Sequence, residues 1–220
     1  MDHSFSNRLL TVPLFQGFSR LDFLDIVEKI PFDFRRIKAN GTIVSQGDET
    51  SDLYILLVGD VECEIESPEH TYRFIETLHA PLTIQIENLF GLHNRYGRTF
   101  KAKTECQLLL LSKQSVRTLL LHNATFQINF YNALSTLSQN LTSLLWLKRA
   151  ENVEERFATF IRRRSLRPIG EKKIQIRMDD LALELGTTRL RVSQMLSRMS
   201  EKKLLSYSRG CIIVPQSELL

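Results

Sequence analysis

The chain has 220 residues, with 43% hydrophobic and 25% charged side chains and 9 Gly plus 6 Pro. That is enough to bury the core of one large domain or two smaller ones, and the composition excludes collagen-like, disordered and disulfide-stapled classes. The net charge of +4 is weak as an average, so its placement along the chain carries more information than its size.

The first residues, MDHSFSNRLL, lack the basic start and apolar stretch of a secretory leader. No uninterrupted apolar run of about 18 residues is present, which argues against a spanning helix. Cys63, Cys106 and Cys211 are odd in number, widely spaced and without CxxC spacing. They fit reduced thiols rather than a disulfide or zinc framework, so a cytoplasmic location without membrane attachment is expected.

Residues 14–30 read as a short amphipathic helix. Ser19 followed by Asp22 suggests its N-cap, and Leu21, Leu24, Ile26 and Val27 give roughly helical spacing. From about 32 to 110 the pattern turns to short strands punctuated by Asn40-Gly41, Gly47-Asp48 and Gly59-Asp60, dipeptides that tight turns favour. Val61, Cys63 and Ile65 alternate with Glu62, Glu64 and Glu66, as in a half-buried strand. Several strands of this length imply a closed or two-sheet β-architecture such as a jelly roll.

From about 113 the period is helical. Phe126 and Phe130 lead into Leu134, Leu137, Leu141 and Leu144, whose steps of 3, 4 and 3 describe a coiled-coil seam. Together with Leu145 these leucines read as a dimer interface, the alternative being an ordinary core helix. Asn152 followed by Glu155 looks like the cap of a new helix. A boundary near 148–152 divides the charge as well: residues 1–150 hold 15 Lys+Arg against 16 Asp+Glu, and residues 151–220 hold 14 against 9. A basic third attached to a neutral body is the footprint of a nucleic-acid-binding module, the alternative being a solvated basic face, and sequence pattern decides between them.

Within that third, a short helix over Asp179–Leu185 stops at Gly186. Thr187 or Thr188 then caps a second helix with apolar positions Val192, Met195, Leu196 and Met199. This is the helix-turn-helix arrangement. Thr188, Arg189, Leu190, Arg191, Gln194 and Arg198 are the candidate DNA-contacting residues at the cap and along the second helix. Arg can donate two hydrogen bonds to guanine, and Gln can pair bidentately with adenine. LLSYSRGCIIVP reads as a following β-hairpin, or wing, with Gly210 in its turn and Arg209 placed for a phosphate.

These segments together resemble the cyclic-AMP receptor protein / fumarate-nitrate reductase regulator (Crp/Fnr) superfamily of bacterial transcription regulators. The resemblance runs through LFQGFS, GTIVSQGDETSDLYILLVGDVECEI, AKTECQLLLLSK, the long helix and LGTTRLRVSQMLSRM. It implies an α+β chain in three parts: an N-terminal helix and jelly-roll sensor over 1–112, a dimerisation helix region over 113–150 and a winged helix-turn-helix over 151–220. It also implies a cytoplasmic homodimer reading a pseudo-palindromic operator in double-stranded DNA, a small-molecule effector of unknown identity and, for an activating output, RNA polymerase as a partner. The family's base-reading positions fall on Arg189, Leu190 and Gln194. Cyclic-AMP receptor proteins typically carry glutamate where this chain has Leu190 and arginine where it has Gln194, so a different operator is expected.

The ligand cassette departs from the family pattern. Cyclic-nucleotide binders carry Gly-Glu and, about ten residues later, Arg-Ser/Thr-Ala to hold the ribose and the cyclic phosphate. An ungapped count here puts Tyr96-Gly97 in place of Arg-Ser. Matching the motif instead gives Glu87 and Arg98-Thr99, with two residues to delete and Ile86 rather than glycine before the glutamate. Thr142 is the remaining polar candidate for the adenine pair on the long helix. Glu87, Arg95, Arg98, Thr99 and Thr142 are therefore the candidate effector residues, for an effector other than cyclic AMP; the alternative is a cyclic-nucleotide response through a modified cassette. Arg95, Arg98, Lys101 and Lys103 form a basic run suited to an anion or to a solvated loop. His79, His93 and Cys63 are haem-ligating residue types, but isolated ones usually pack or solvate, and no metal or cofactor is expected. No GxSxG, P-loop or HExxH occurs, so catalysis is not expected.

Overall fold

A computed structural model describes residues 8–147 and 150–220. The N-terminal stretch through residue 7, read above for a leader, and Lys148-Arg149, inside the expected boundary, lie outside the described residues. The chain divides into two compact units, one running to Val61 and resuming over Leu78–Leu141, the other formed by Glu62–Thr77 and Thr142–Leu220.

In the first unit, strands β1 (Asp33–Ile37), β8 (Cys106–Ser112), β3 (Asp52–Val58) and β6 (Leu82–Thr83) form one sheet in that order, each neighbouring pair antiparallel. Strands β2 (Thr42–Val44) and β7 (Thr99–Ala102) pair antiparallel outside that sheet, at the end of a second one. Leu53 and Ile55 from β3 and Leu109 and Leu111 from β8 alternate into a core shared with Phe15, Phe23, Phe126 and Phe130. Strand β4 (Asp60–Glu66) shows the expected alternation, with Val61 and Cys63 fully buried and Ile65 half-buried.

The N-terminal helix is shorter than its sequence suggested. Pro13–Phe15 form a separate 3-10 turn, Gly17 takes a left-handed φ of 82°, and α1 spans only Arg20–Lys29. Its capping box is present: the Ser19 hydroxyl accepts from the Asp22 N–H at 3.2 Å, and the Ser19 N–H donates back to the Asp22 carboxylate at 2.9 Å. The buried face is Phe23, Ile26 and Ile30, whereas Leu21 and Leu24 are exposed. With the helix starting at the cap, Phe23 docks edge-on against Phe15 and turns those two leucines outward.

Helices α2 (Lys113–His122) and α3 (Ala124–Leu145) follow, and the Asn123 side chain accepts from the Phe126 N–H at 2.8 Å. Among the described residues no helix is long and apolar enough to cross a membrane.

The second unit is a helix-turn-helix packed on a small antiparallel sheet. Helix α4 (Val153–Arg164) begins at Asn152, whose side chain accepts from the Glu155 N–H at 2.9 Å, as the sequence implied. Then come β9 (Lys172–Ile176), α5 (Met178–Glu184), α6 (Arg189–Glu201), β10 (Ser206–Ser208) and β11 (Cys211–Val214). Strand β11 pairs with both β10 and β9.

On its other edge β9 pairs with β5 (Tyr72–His79), from Tyr72↔Ile176 to Glu76↔Lys172. Tyr72 and Phe74 thereby enter the core of α4, α5 and α6, beside Phe157, Phe160, Leu181 and Met195. The Lys172 ammonium donates to the Glu76 carboxylate at 2.9 Å, and both side chains are fully buried. The pair is further satisfied: the Leu166 N–H donates to Glu76 at 2.7 Å and Lys172 donates to the Ile169 carbonyl at 3.0 Å. Such bonding is what lets two charges leave water. Arg164 donates to the Tyr72 hydroxyl at 2.6 Å and lies 3.8 Å over the Phe160 ring centroid, closing the same corner.

Candidate nucleic-acid interface and sensor residues

Helix α5 ends where the sequence placed its stop. Leu185 is the C-cap and Gly186 has φ 58°, a left-handed value that costs glycine little. The turn is tied down from α4, because Arg156 donates to the carbonyls of Leu185 and Gly186 at 3.3 and 3.2 Å. Thr188, not Thr187, caps α6, accepting from the Arg191 N–H at 3.4 Å. Val192, Met195, Leu196 and Met199 are all buried, which fixes the helix by one stripe and leaves the opposite face to solvent.

Arg189, Leu190, Arg191 and Gln194 are exposed on that face. Arg189 lies 3.7 Å from Asp179 of α5, an ion pair with both side chains about 70% exposed and therefore weak and easily exchanged. Arg198 differs: its guanidinium donates to Glu154 of α4 at 3.0 and 2.5 Å. That bond holds the Glu154 carboxyl below the usual glutamate range, against a smaller opposing effect of burial. Arg209 and Gly210 form the exposed tip of the β10–β11 hairpin. Arg189 and Arg209 line one cavity of about 440 Å³, floored by Leu181, Leu196 and Ile212. The arrangement offers three exposed cations, Arg189, Arg191 and Arg209, with a carboxamide and an exposed leucine, around the start of one helix.

Sequence spacing did not single out Arg156, Glu154 or Asp179. Arg156 and Glu154 work through partners 29 to 44 residues away, and no local pattern announces such pairs.

Among the candidate effector residues, Arg95, Arg98 and Thr99 make hydrogen bonds within the first unit. Glu87 is exposed on a short 3-10 turn, Ile86–Asn88. Arg95 donates to the Gly47 carbonyl at 2.7 Å, and the Thr99 hydroxyl accepts from the Gln46 N–H at 2.9 Å. The Arg98 N–H donates to the Gln85 side chain at 3.2 Å. Tyr96, the ungapped counterpart of the family arginine, is buried; its hydroxyl donates to the Asp52 carbonyl at 3.0 Å, and burial pushes its pKa well up. Groups in the cassette register thus stitch the loop around Gln46–Gly47 to the strand that follows. Thr142 is exposed and belongs to the second unit.

Cys63 is fully buried, His79 shares a 2.7 Å hydrogen bond with Asp60, and His93 is exposed. Among the described residues no three His, Cys, Asp or Glu side chains group as metal ligands. On α3, Leu134 and Leu137 lie partly against the first unit's own core, Leu144 is half-buried, and Leu141 and Leu145 are exposed, as is the following Trp146.

Two family models match the chain: a cyclic nucleotide-binding domain over residues 34–123 and a Crp-like helix-turn-helix domain over residues 144–220. No curated protein matches. Among solved structures, the catabolite activator protein of Thermus thermophilus is 22% identical, with a TM-score of 0.50 over 94% of this chain and 95% of its own. The DNR protein of Pseudomonas aeruginosa is 17% identical, with a TM-score of 0.50 over 97% and 95%. The sensor domain of that transcriptional regulator reaches 0.53 at 19% identity, over 68% of this chain and 96% of its own. These likenesses are to the fold alone, the third to the part of it that the sensor domain covers. With one family model on the β-roll and the other on the helix-turn-helix, the chain belongs to the Crp/Fnr superfamily of transcription regulators.

Proposed function

We propose that the protein is a homodimeric, sequence-specific DNA-binding regulator whose β-roll answers to an effector other than cyclic AMP. The observation that carries this reading is the capped helix α6. Its buried stripe of Val192, Met195, Leu196 and Met199 leaves Arg189, Leu190 and Gln194 facing outward, beside the Arg209 wing tip. The N-terminal turn of such a helix reaches base edges, with Arg suited to guanine and Gln to adenine, while the wing arginine meets phosphate. Pairing of two copies through the exposed end of α3, at Leu141, Leu144 and Leu145, sets two recognition helices roughly 34 Å apart, one turn of duplex. A change in packing along Leu137–Leu145 is the means by which the sensor alters DNA affinity.

The reading against cyclic AMP rests on Tyr96, the ungapped counterpart of the family arginine, being spent in the core. The match to a cyclic nucleotide-binding model favours the alternative, a cyclic-nucleotide response through Arg98-Thr99. Sequence selection from random duplex DNA, with and without cyclic AMP and at two salt concentrations, separates them. A palindrome enriched without ligand supports the first reading. Enrichment only with cyclic AMP supports the second, and no enrichment in any arm excludes both a cyclic-AMP switch and a reader that works without ligand, leaving a protein that needs its own effector or has a role away from DNA.

A further inference from the structure

The exposed leucine at the start of α6 has no role in the fold. Leu190 is 67% exposed and lies outside the buried cluster that anchors the helix. It occupies the second position of the helix, between two exposed arginines. A leucine can neither donate to nor accept from a base edge. Among the groups displayed in the major groove, the one apolar feature is the C5-methyl of thymine. Gln194 sits four residues on, hence on the same face and about 6 Å further along the helix axis.

We infer that Leu190 is a specificity residue that packs on the methyl group of a thymine in each half-site, with Gln194, on the same face, addressing a neighbouring base pair. The inference rests on the DNA-reading conclusion above and names which base that face selects. Its energy source is the burial of one methyl group against the leucine side chain, which corresponds to about fourfold in affinity per half-site.

The test uses the full-length protein and the duplex recovered by the selection above. Each thymine of a half-site is replaced in turn by deoxyuridine, which removes the methyl and keeps every hydrogen-bonding group. One such position should weaken the wild-type complex about fourfold and leave the Leu190→Ala complex unchanged. Leu190→Glu, which supplies an acceptor for the cytosine amino group, should move selection at that position from thymine towards cytosine. Circular dichroism and melting of both variants should match the wild type, because the site is exposed. If no deoxyuridine substitution weakens the wild type, or if Leu190→Ala loses the same factor, the role assigned to Leu190 is wrong while DNA reading stands. If the wild type binds the recovered duplex no better than scrambled DNA, the DNA-reading conclusion fails and takes this inference with it.

Discussion

Arg189 and Arg209 line one cavity but belong to different elements, helix α6 and the β10–β11 hairpin. Arg189→Ala should cost about 1–3 kcal/mol on the selected operator and relax preference at one base, because a bidentate contact to guanine is lost. Arg209→Ala should weaken all duplexes alike and reduce the salt slope by about one, the mark of a phosphate contact. Competition titrations against operator and scrambled DNA separate the two.

Glu154 gives a pH dependence with a definite sign. Its carboxyl is held by Arg198, with Lys202 adding a smaller attraction, below the ordinary value of 4.5. The group therefore adds stability that is complete above about 4.5 and disappears as the pH falls through the lowered value in the folded protein. The side chain is 36% exposed, so screening keeps the contribution small. Melting curves from neutral into acid should fall less steeply for Glu154→Gln than for the wild type. At neutral pH the same variant, with Arg198 no longer neutralised, should bind non-specific DNA more tightly and with a steeper salt dependence.

At the scale of elements, the cap of α6 and the β5–β9 pairing contribute in different ways. Thr188→Ala removes the acceptor for the Arg191 N–H and should cost about 1 kcal/mol of stability. Removing one partner of the buried pair, as in Glu76→Gln or Lys172→Met, leaves the other without its counter-charge and should cost about 3–5 kcal/mol. Replacing both by apolar residues should recover most of that loss. Denaturant titration of the two single variants and the double variant measures the coupling.

These elements also mark how far the sequence can be read. Four buried positions of α6 and its cap were legible because cap, period and burial lie within a dozen residues. The α1 face was not, because Phe15 lies beyond a break that helical spacing alone does not reveal. The Tyr96 and Thr99 bonds were hidden for the same reason: their partners, Asp52 and Gln46, lie 44 and 53 residues away. The partner of β5 is further still, with 96 residues between Glu76 and Lys172.

For the whole molecule, the exposed end of α3 predicts assembly. Leu141→Asp with Leu145→Asp places charge on two exposed apolar positions and should leave each unit folded. Sedimentation should then show a monomer, and binding to a palindromic duplex should weaken far more than binding to a single half-site. Retention of the dimer would move the interface elsewhere. A chain of residues 142–220 alone lacks β5, leaving Lys172 without Glu76, β9 with an open edge, and Phe160 and Met195 without Tyr72 and Phe74. It should melt lower than the same residues in the full protein, and supplying 62–77 through a linker should restore it.

The split second unit also constrains the order in which the protein is made. The segment carrying Tyr72, Phe74 and Glu76 leaves the ribosome with the first unit, but Lys172 follows 96 residues later. At ordinary translation rates that interval is about 5–20 s. During it, one edge of β5 presents unpaired backbone groups, an apolar ring and a carboxylate that have no home yet, the kind of edge that recruits a wrong partner. Nascent chains arrested before residue 172 should therefore engage chaperones or aggregate more readily than chains released after Val214, making the last stretch of synthesis the point at which an earlier strand is secured.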